Sequence, residues 1–189
     1  MENLKKLILI VEGPSGVGKD TIINKILKMY PDRFGKPINA TTREMRPNES
    51  QGDPYLFIDE NEFFRMRMTG EIFEHTIRHG TYRGMRKSSF NGILNSGRIA
   101  IRDCDRYGLE ALKEEYGEIV VGIFLTCPKE MIVERLISRN EPEESMKSRI
   151  ADYDLCIQSK DYFDYEIVNI DIDQTIEEII KIADKYTKQ

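Results

Sequence analysis

Cysteine and histidine are scarce in this chain. Its 189 residues include three Cys (104, 127 and 156) and two His (75 and 79). The cysteines are odd in number, far apart and form no C-x-x-C pair, which speaks against a disulfide framework and a thiolate metal site. They read as reduced thiols, and a cytoplasmic location is the expectation. His75 and His79 share one i, i+4 spacing with no further ligand nearby, an incidental pair. Long apolar runs are missing too. The run 7–11 is five residues, too short for a signal-peptide core, and nothing approaches the ~18 apolar residues of a membrane span. The net charge of −5 argues against a nucleic-acid coat or a polybasic membrane binder. Small molecules are therefore the expected partners, with no nucleic-acid polymer and no membrane.

What is present describes a folded protein. Hydrophobic residues make up 40% and charged residues 32%, which implies a real core under a strongly solvated surface. The length suits one domain over 1–189. Charge is uneven along it. Residues 1–110 hold 18 Lys+Arg against 15 Asp+Glu, and residues 111–189 hold 10 against 18. Eleven of the 14 Arg lie between Arg33 and Arg106. An acidic chain with one Arg-rich stretch can still hold a small anion.

Hydrophobic patterning places the elements. Strands are predicted at 7–11, 98–104, 119–125 and 165–168, with smaller ones in 70–86. Helices are predicted at 21–27, 59–68, 88–96, 109–116, 129–138, 144–162 and 175–186. Strands alternating with helices predict an α/β fold whose parallel sheet is flanked by helices. The turn-rich, Arg-rich stretch 38–88 reads as an insertion.

One loop carries chemistry by itself. Gly13-Pro14-Ser15-Gly16-Val17-Gly18-Lys19 fits G-x-x-x-x-G-K between a strand and a helix. Glycines let backbone N–H groups converge on phosphate oxygens, and the following helix adds partial positive charge. Lys19 is the candidate to bridge the β- and γ-phosphates of ATP. Asp20 follows, where Ser or Thr is usual, and then Thr21. A carboxylate this close to polyphosphate is unfavourable without Mg²⁺ between them, so Asp20 or Thr21 is a candidate to hold Mg²⁺, directly or through water.

A second set of motifs resembles the guanylate kinase family. Its GPSGxGK loop recurs at residues 13–19, its T-T-R-x-x-R-P-x-E-x-x-G segment at 41–52 and its Y-x-F pair at 55–57. Its G-x-F-x-E appears one residue looser at 70–74, and its D-x-D at 103–105. The resemblance spans almost the whole chain. It implies a P-loop kinase core, an inserted mixed α/β GMP-binding subdomain and a helical lid. The expected bounds are core 1–37, 89–134 and 151–189, subdomain 38–88, and lid 135–150. Arg43 and Arg46, with Tyr55, have the chemistry to grip a monophosphate. Glu74 and Asp105, when ionised, are pure acceptors. Guanine offers N1–H and a 2-amino group as adjacent donors, and adenine has no N1–H. The resemblance therefore implies that Glu74 reads guanine, that Asp105 assists, and that Asn39 stands near O6 where the family has Ser. It also implies a supporting Mg²⁺ role for Asp103. Besides Asp20 and Asn39, other positions depart from the family pattern, including Asp53-Pro54 where a single Asp usually precedes Tyr55. Arg83 replaces a phosphate-binding Tyr, Met85 a hydroxyl residue, Tyr107 a Gln and Asn140 a Gly.

Arg135 and Arg139 lie at i, i+4 on one helix face, with Arg149 ten residues on. Such a set can close over ATP and neutralise a transferring phosphoryl group. The expectation is thus phosphoryl transfer from Mg-ATP to GMP or dGMP by a monomer or homodimer. Two alternatives stay open on sequence alone. One is a related small kinase with another acceptor, such as ribose 1,5-bisphosphate or another (deoxy)nucleotide. The other is a non-catalytic binding module of the same fold.

Overall fold

A computed structural model describes residues 5–138 and 142–187. Strand β1 (Ile8–Glu12) is buried along its apolar run, as a central parallel strand must be. It enters the glycine loop and then helix α1 (Lys19–Met29). Short strands β2 (Phe34–Gly35), β3 (Ala40–Thr41) and β4 (Leu56–Phe57) follow. Helix α2 (Glu60–Met68) is capped by Asp59, whose side chain accepts from the Glu62 N–H. The antiparallel pair β5 (Ile72–Arg78) and β6 (Thr81–Arg86) leads into α3 (Lys87–Asn95). Then come β7 (Ile99–Asp103), α4 (Arg106–Tyr116), β8 (Val120–Thr126) and α5 (Lys129–Ser138). Helix α6 (Glu143–Ile157), β9 (Tyr165–Val168) and α7 (Ile172–Thr187) complete the order.

The strands β2, β7, β1, β8 and β9 form one parallel sheet in that order. Its two faces follow from side-chain alternation. Leu9, Val11, Ile101 and Ile123 pack with Ile22 and Ile26 of α1, Leu136 of α5 and Ile179 of α7. Ile8, Ile10 and Ala100 pack on the other face with Phe90 of α3 and Leu109 and Leu112 of α4. Helices thus cover both faces, as the alternating pattern predicted.

The strands β4, β3, β6 and β5 form a second, mixed sheet within the stretch expected as an insertion. It has its own small core of Ala40, Phe63, Met66 and Ile72. Burial of Phe63, Met66 and Ile72 is worth about 1.5–3 kcal/mol each, so this unit has far less apolar burial to hold it than the main sheet.

One helix is shorter than its pattern predicts. The expected helix 144–162 ends at Ile157, and a 3₁₀ turn, Lys160–Tyr162, follows. The next residues have tertiary partners that a continuing helix would carry away. Phe163 packs on Phe124 with ring centroids 5.3 Å apart, and Asp164 accepts from the Gly122 N–H at 2.7 Å.

Candidate active site

The sheet order puts β1 between β7 and β8, so the chain crosses over β1 on its way from β7 to β8. In a parallel sheet such a crossing opens a crevice at the carboxyl ends of the strands. The glycine loop leaves β1 there, and Asp103 lies beside Val11 in register.

Two glycines fix the loop's path. Gly13 has φ +150, and a Cβ on it would stand 2.3 Å from the Leu125 carbonyl oxygen, so no side chain fits between loop and β8. Gly18 has φ +107, a conformation that favours glycine, and as the cap of α1 it brings no side chain of its own to the positive end of that helix. Inside the loop the Val17 N–H bonds to the Pro14 carbonyl at 3.1 Å. The Lys19 ammonium donates to the Gly13 carbonyl, and to that of Pro14 at 3.3 Å. The loop is also braced from outside. Arg135 of α5 donates to the Val17 carbonyl at 3.0 Å and to the Asn169 carbonyl at 3.3 Å. The buried Asn169 amide donates to Val17 as well and accepts from the Thr175 hydroxyl at 2.9 Å. Arg149 of α6 reaches the Ser15 hydroxyl. Arg139 lies outside the described residues.

Beside the loop is a cleft of about 690 Å³ between the two sheets. Of the residues the sequence singled out, Asp20, Asn39, Tyr55, Glu74, Arg83, Asp103 and Asp105 line it. Thr21 is exposed and is not among the lining residues. Arg43 and Arg46 are not among the lining residues. Arg43 makes a two-pronged ion pair with Glu49 (2.8 and 2.9 Å) and lies over the Tyr55 and Phe57 rings at 5.6 and 5.3 Å. That hydrogen bond pushes the Arg43 guanidinium up and holds Glu49 below the usual carboxylate range. Glu49 also accepts from the Arg46 N–H at 2.9 Å, while the Arg46 side chain is exposed. Arg83 also lies over the Tyr55 ring, at 5.4 Å. Its Nε is buried with no hydrogen-bond partner among the described residues.

Asp105 does two things. Its Oδ1 caps α4 by accepting from the Gly108 N–H at 2.9 Å, and its charge reaches Glu74. Burial pushes the Glu74 carboxyl up, Asp105 adds to the rise, and Arg102 opposes it. Sequence reasoning missed Arg102, which lines the cleft from β7 and donates to Asn39. Its signal was an Arg directly after the apolar run Ile99-Ala100-Ile101. It also missed Glu12, raised by burial against the opposing pull of Lys19 and the Gly13 N–H. Among the described residues no three His, Cys, Asp or Glu gather into a self-sufficient metal site. Asp20 and Asp103 fit a different style of site, since Mg²⁺ commonly takes one or two carboxylates together with substrate phosphates and water. No helix among the described residues is long and apolar enough to cross a membrane.

A phosphate loop at a crossover of a parallel sheet, opening onto an acceptor cleft on an inserted sheet, defines a phosphoryl-transfer enzyme of the P-loop kinase class. A sequence model of the guanylate kinase family matches residues 5–186. The guanylate kinase of Prochlorococcus marinus subsp. pastoris is 37% identical over 184 residues, covering 96% of this chain and 98% of its own. That of Anaplasma phagocytophilum is 33% identical over 178 residues, covering 93% and 85%. The crystal structure of guanylate kinase from Anaplasma phagocytophilum superposes with a TM-score of 0.72 at 28% identity, over 100% of this chain and 90% of that one. The chain belongs to the guanylate kinase family.

Proposed function

We propose that this protein is a guanylate kinase that moves the γ-phosphoryl group of ATP to the 5′-phosphate of GMP or dGMP, giving ADP and GDP or dGDP. The observation that carries the reading is Glu74. It is a half-buried carboxylate in the cleft beside an intact phosphate loop, where guanine's N1–H and 2-amino group are the donors it would take.

The acceptor phosphate is already nucleophilic, so the reaction needs alignment and charge neutralisation more than a general base. The backbone of Gly13–Gly18 and the Lys19 ammonium hold the ATP phosphates. Tyr55 and Arg83, which line the cleft, hold the acceptor phosphate together with Arg43 and Arg46. Arg43 is kept rigid by Glu49 and two aromatic rings, which fixes the strap carrying Tyr55. Asn39, Glu74 and Asp105 meet the base. Arg149 reaches the loop from α6 and supplies positive charge near the transferred group. Arg139 is assigned the same work. Arg135 has its guanidinium on the Val17 and Asn169 carbonyls, so in this geometry it steadies the loop. Asp20, Asp103 and Thr21 are the groups to hold Mg²⁺, directly or through water. When bound, Mg²⁺ offsets charge on the ATP phosphates. The core, the 38–88 insertion and the 135–150 lid close on the two nucleotides and exclude water.

The test is turnover with ATP and Mg²⁺ against GMP, dGMP, AMP, CMP, UMP and ribose 1,5-bisphosphate in separate coupled assays. Turnover of GMP and dGMP well above the rest supports the reading, and chelation of Mg²⁺ abolishes it. Turnover of another acceptor alone, or of none, refutes it.

A further inference from the structure

Arg102 is out of character with its strand. β7 reads Ile-Ala-Ile-Arg-Asp, and its first three side chains are buried and apolar. A charge at the end of such a run is costly unless it meets partners. By alternation Arg102 shares the face of Ala100, and it lies opposite Ile10 in register. Its Nε donates to the Asp103 carbonyl at 3.0 Å, and a terminal nitrogen donates to Asn39 Oδ1. Arg102, Asn39 and Glu74 all line the acceptor cleft.

The bond to Asn39 bears on recognition. An Asn amide offers an acceptor on one branch and an NH₂ donor on the other. A cation on Oδ1 fixes which branch is which, so the branch available to a ligand is the NH₂. Arg102 itself carries donors only. Donors from Arg102 and Asn39 therefore stand in one cleft with acceptors from Glu74 and Asp105. Guanine is the complement, because O6 accepts while N1–H and the 2-amino group donate. Adenine reverses the pattern at positions 6 and 1. Met85 also lines this cleft, but its thioether carries no hydrogen-bond donor.

We infer that Arg102 determines base specificity: with the Asn39 amide it orients, it donates to the 6-oxo group of the acceptor purine. The inference rests on the guanylate reading and adds the group that separates 6-oxo from 6-amino bases. An arginine pair to a guanine edge discriminates by about 1–3 kcal/mol, or roughly 5- to 150-fold.

Equilibrium binding tests it with GMP, 6-thio-GMP and IMP on the wild type, Arg102→Leu and Arg102→Lys. The 6-thio analogue keeps N1–H and the 2-amino group but replaces O6 with a poor acceptor. IMP keeps O6 and lacks the 2-amino group that Glu74 would take. The wild type is expected to favour GMP over 6-thio-GMP by roughly tenfold. Arg102→Leu should bring that ratio close to one while the preference for GMP over IMP persists. Arg102→Lys should fall between, since it keeps the charge and loses the fork. Thermal melting checks folding, and if the Leu variant is unfolded, the Lys variant carries the test alone. An unchanged GMP to 6-thio-GMP ratio in the folded variant overturns the inference. Turnover is measured separately. A wild type that binds GMP in an Arg102-dependent way but never phosphorylates it sinks the guanylate reading and leaves Arg102 standing. A wild type that binds neither nucleotide overturns both.

Discussion

Glu74→Gln is nearly isosteric, so it tests chemistry with little change of shape. In the proposed complex the carboxylate accepts from both N1–H and the 2-amino group of guanine. The amide keeps one acceptor and sets its own NH₂ against the second donor. One charge-assisted hydrogen bond is lost, which costs about 1.5–3 kcal/mol, or roughly 10- to 150-fold in kcat/KM for GMP. ATP is held by the loop on the other sheet, so its KM should stay within about twofold. The pH profile adds a second readout. Burial and the Asp105 charge raise the Glu74 carboxyl, and Arg102 only partly offsets them. A raised pKa means that the proton returns at a higher pH as the solution is acidified. A protonated carboxyl cannot take both guanine donors, so KM for GMP should climb at a higher pH than an ordinary Glu would give. In the Gln variant that limb should be flat. Glu12 is also raised by burial, with Lys19 opposing, so KM for ATP is followed over the same pH range. Equal loss of GMP and ATP use, or a wild-type KM for GMP in the Gln variant, refutes the reasoning.

Other perturbations test other parts. Gly13→Ala forces a Cβ to 2.3 Å from a backbone carbonyl that cannot swing away, so it should lower the melting temperature and ATP affinity together. Gly52→Ala, also at positive φ but with nothing within 4 Å, should cost only about 1–2 kcal/mol, and equal losses would contradict the packing argument. Arg149→Ala should cut turnover by roughly 100-fold or more with an unchanged circular dichroism spectrum, and near-normal turnover counts against its role. Asp20→Ser should raise the Mg²⁺ concentration for half-maximal rate, and an unchanged requirement removes Asp20 from the metal account.

The main sheet was legible because its strands are short apolar runs between turn formers, and the phosphate loop because strand, glycines, lysine and helix agree. The 158–164 segment was not. Its helical pattern runs on, but Phe163 and Asp164 have partners on β8 that only the tertiary fold supplies. Spacing put Arg135 on one helix face without saying what that face meets, which is the Val17 and Asn169 backbone. Arg43 was legible as a cation beside Tyr55, while its two-pronged pairing with Glu49 depends on how the strap folds back. Arg102 escaped because its partner Asn39 is 63 residues away. The same long-range closure brings Glu74, Asp105 and Asp20 into one cleft.

The central claim is that the cleft accepts guanylate and the loop supplies the phosphoryl group. One competition measures this directly. Limiting γ-labelled ATP and Mg²⁺ are given to the enzyme with equimolar GMP, AMP, CMP and UMP in a single mixture, and the labelled diphosphates are separated. The account predicts nearly all of the label in GDP. Label in another diphosphate, label spread evenly, or no transfer at all contradicts it.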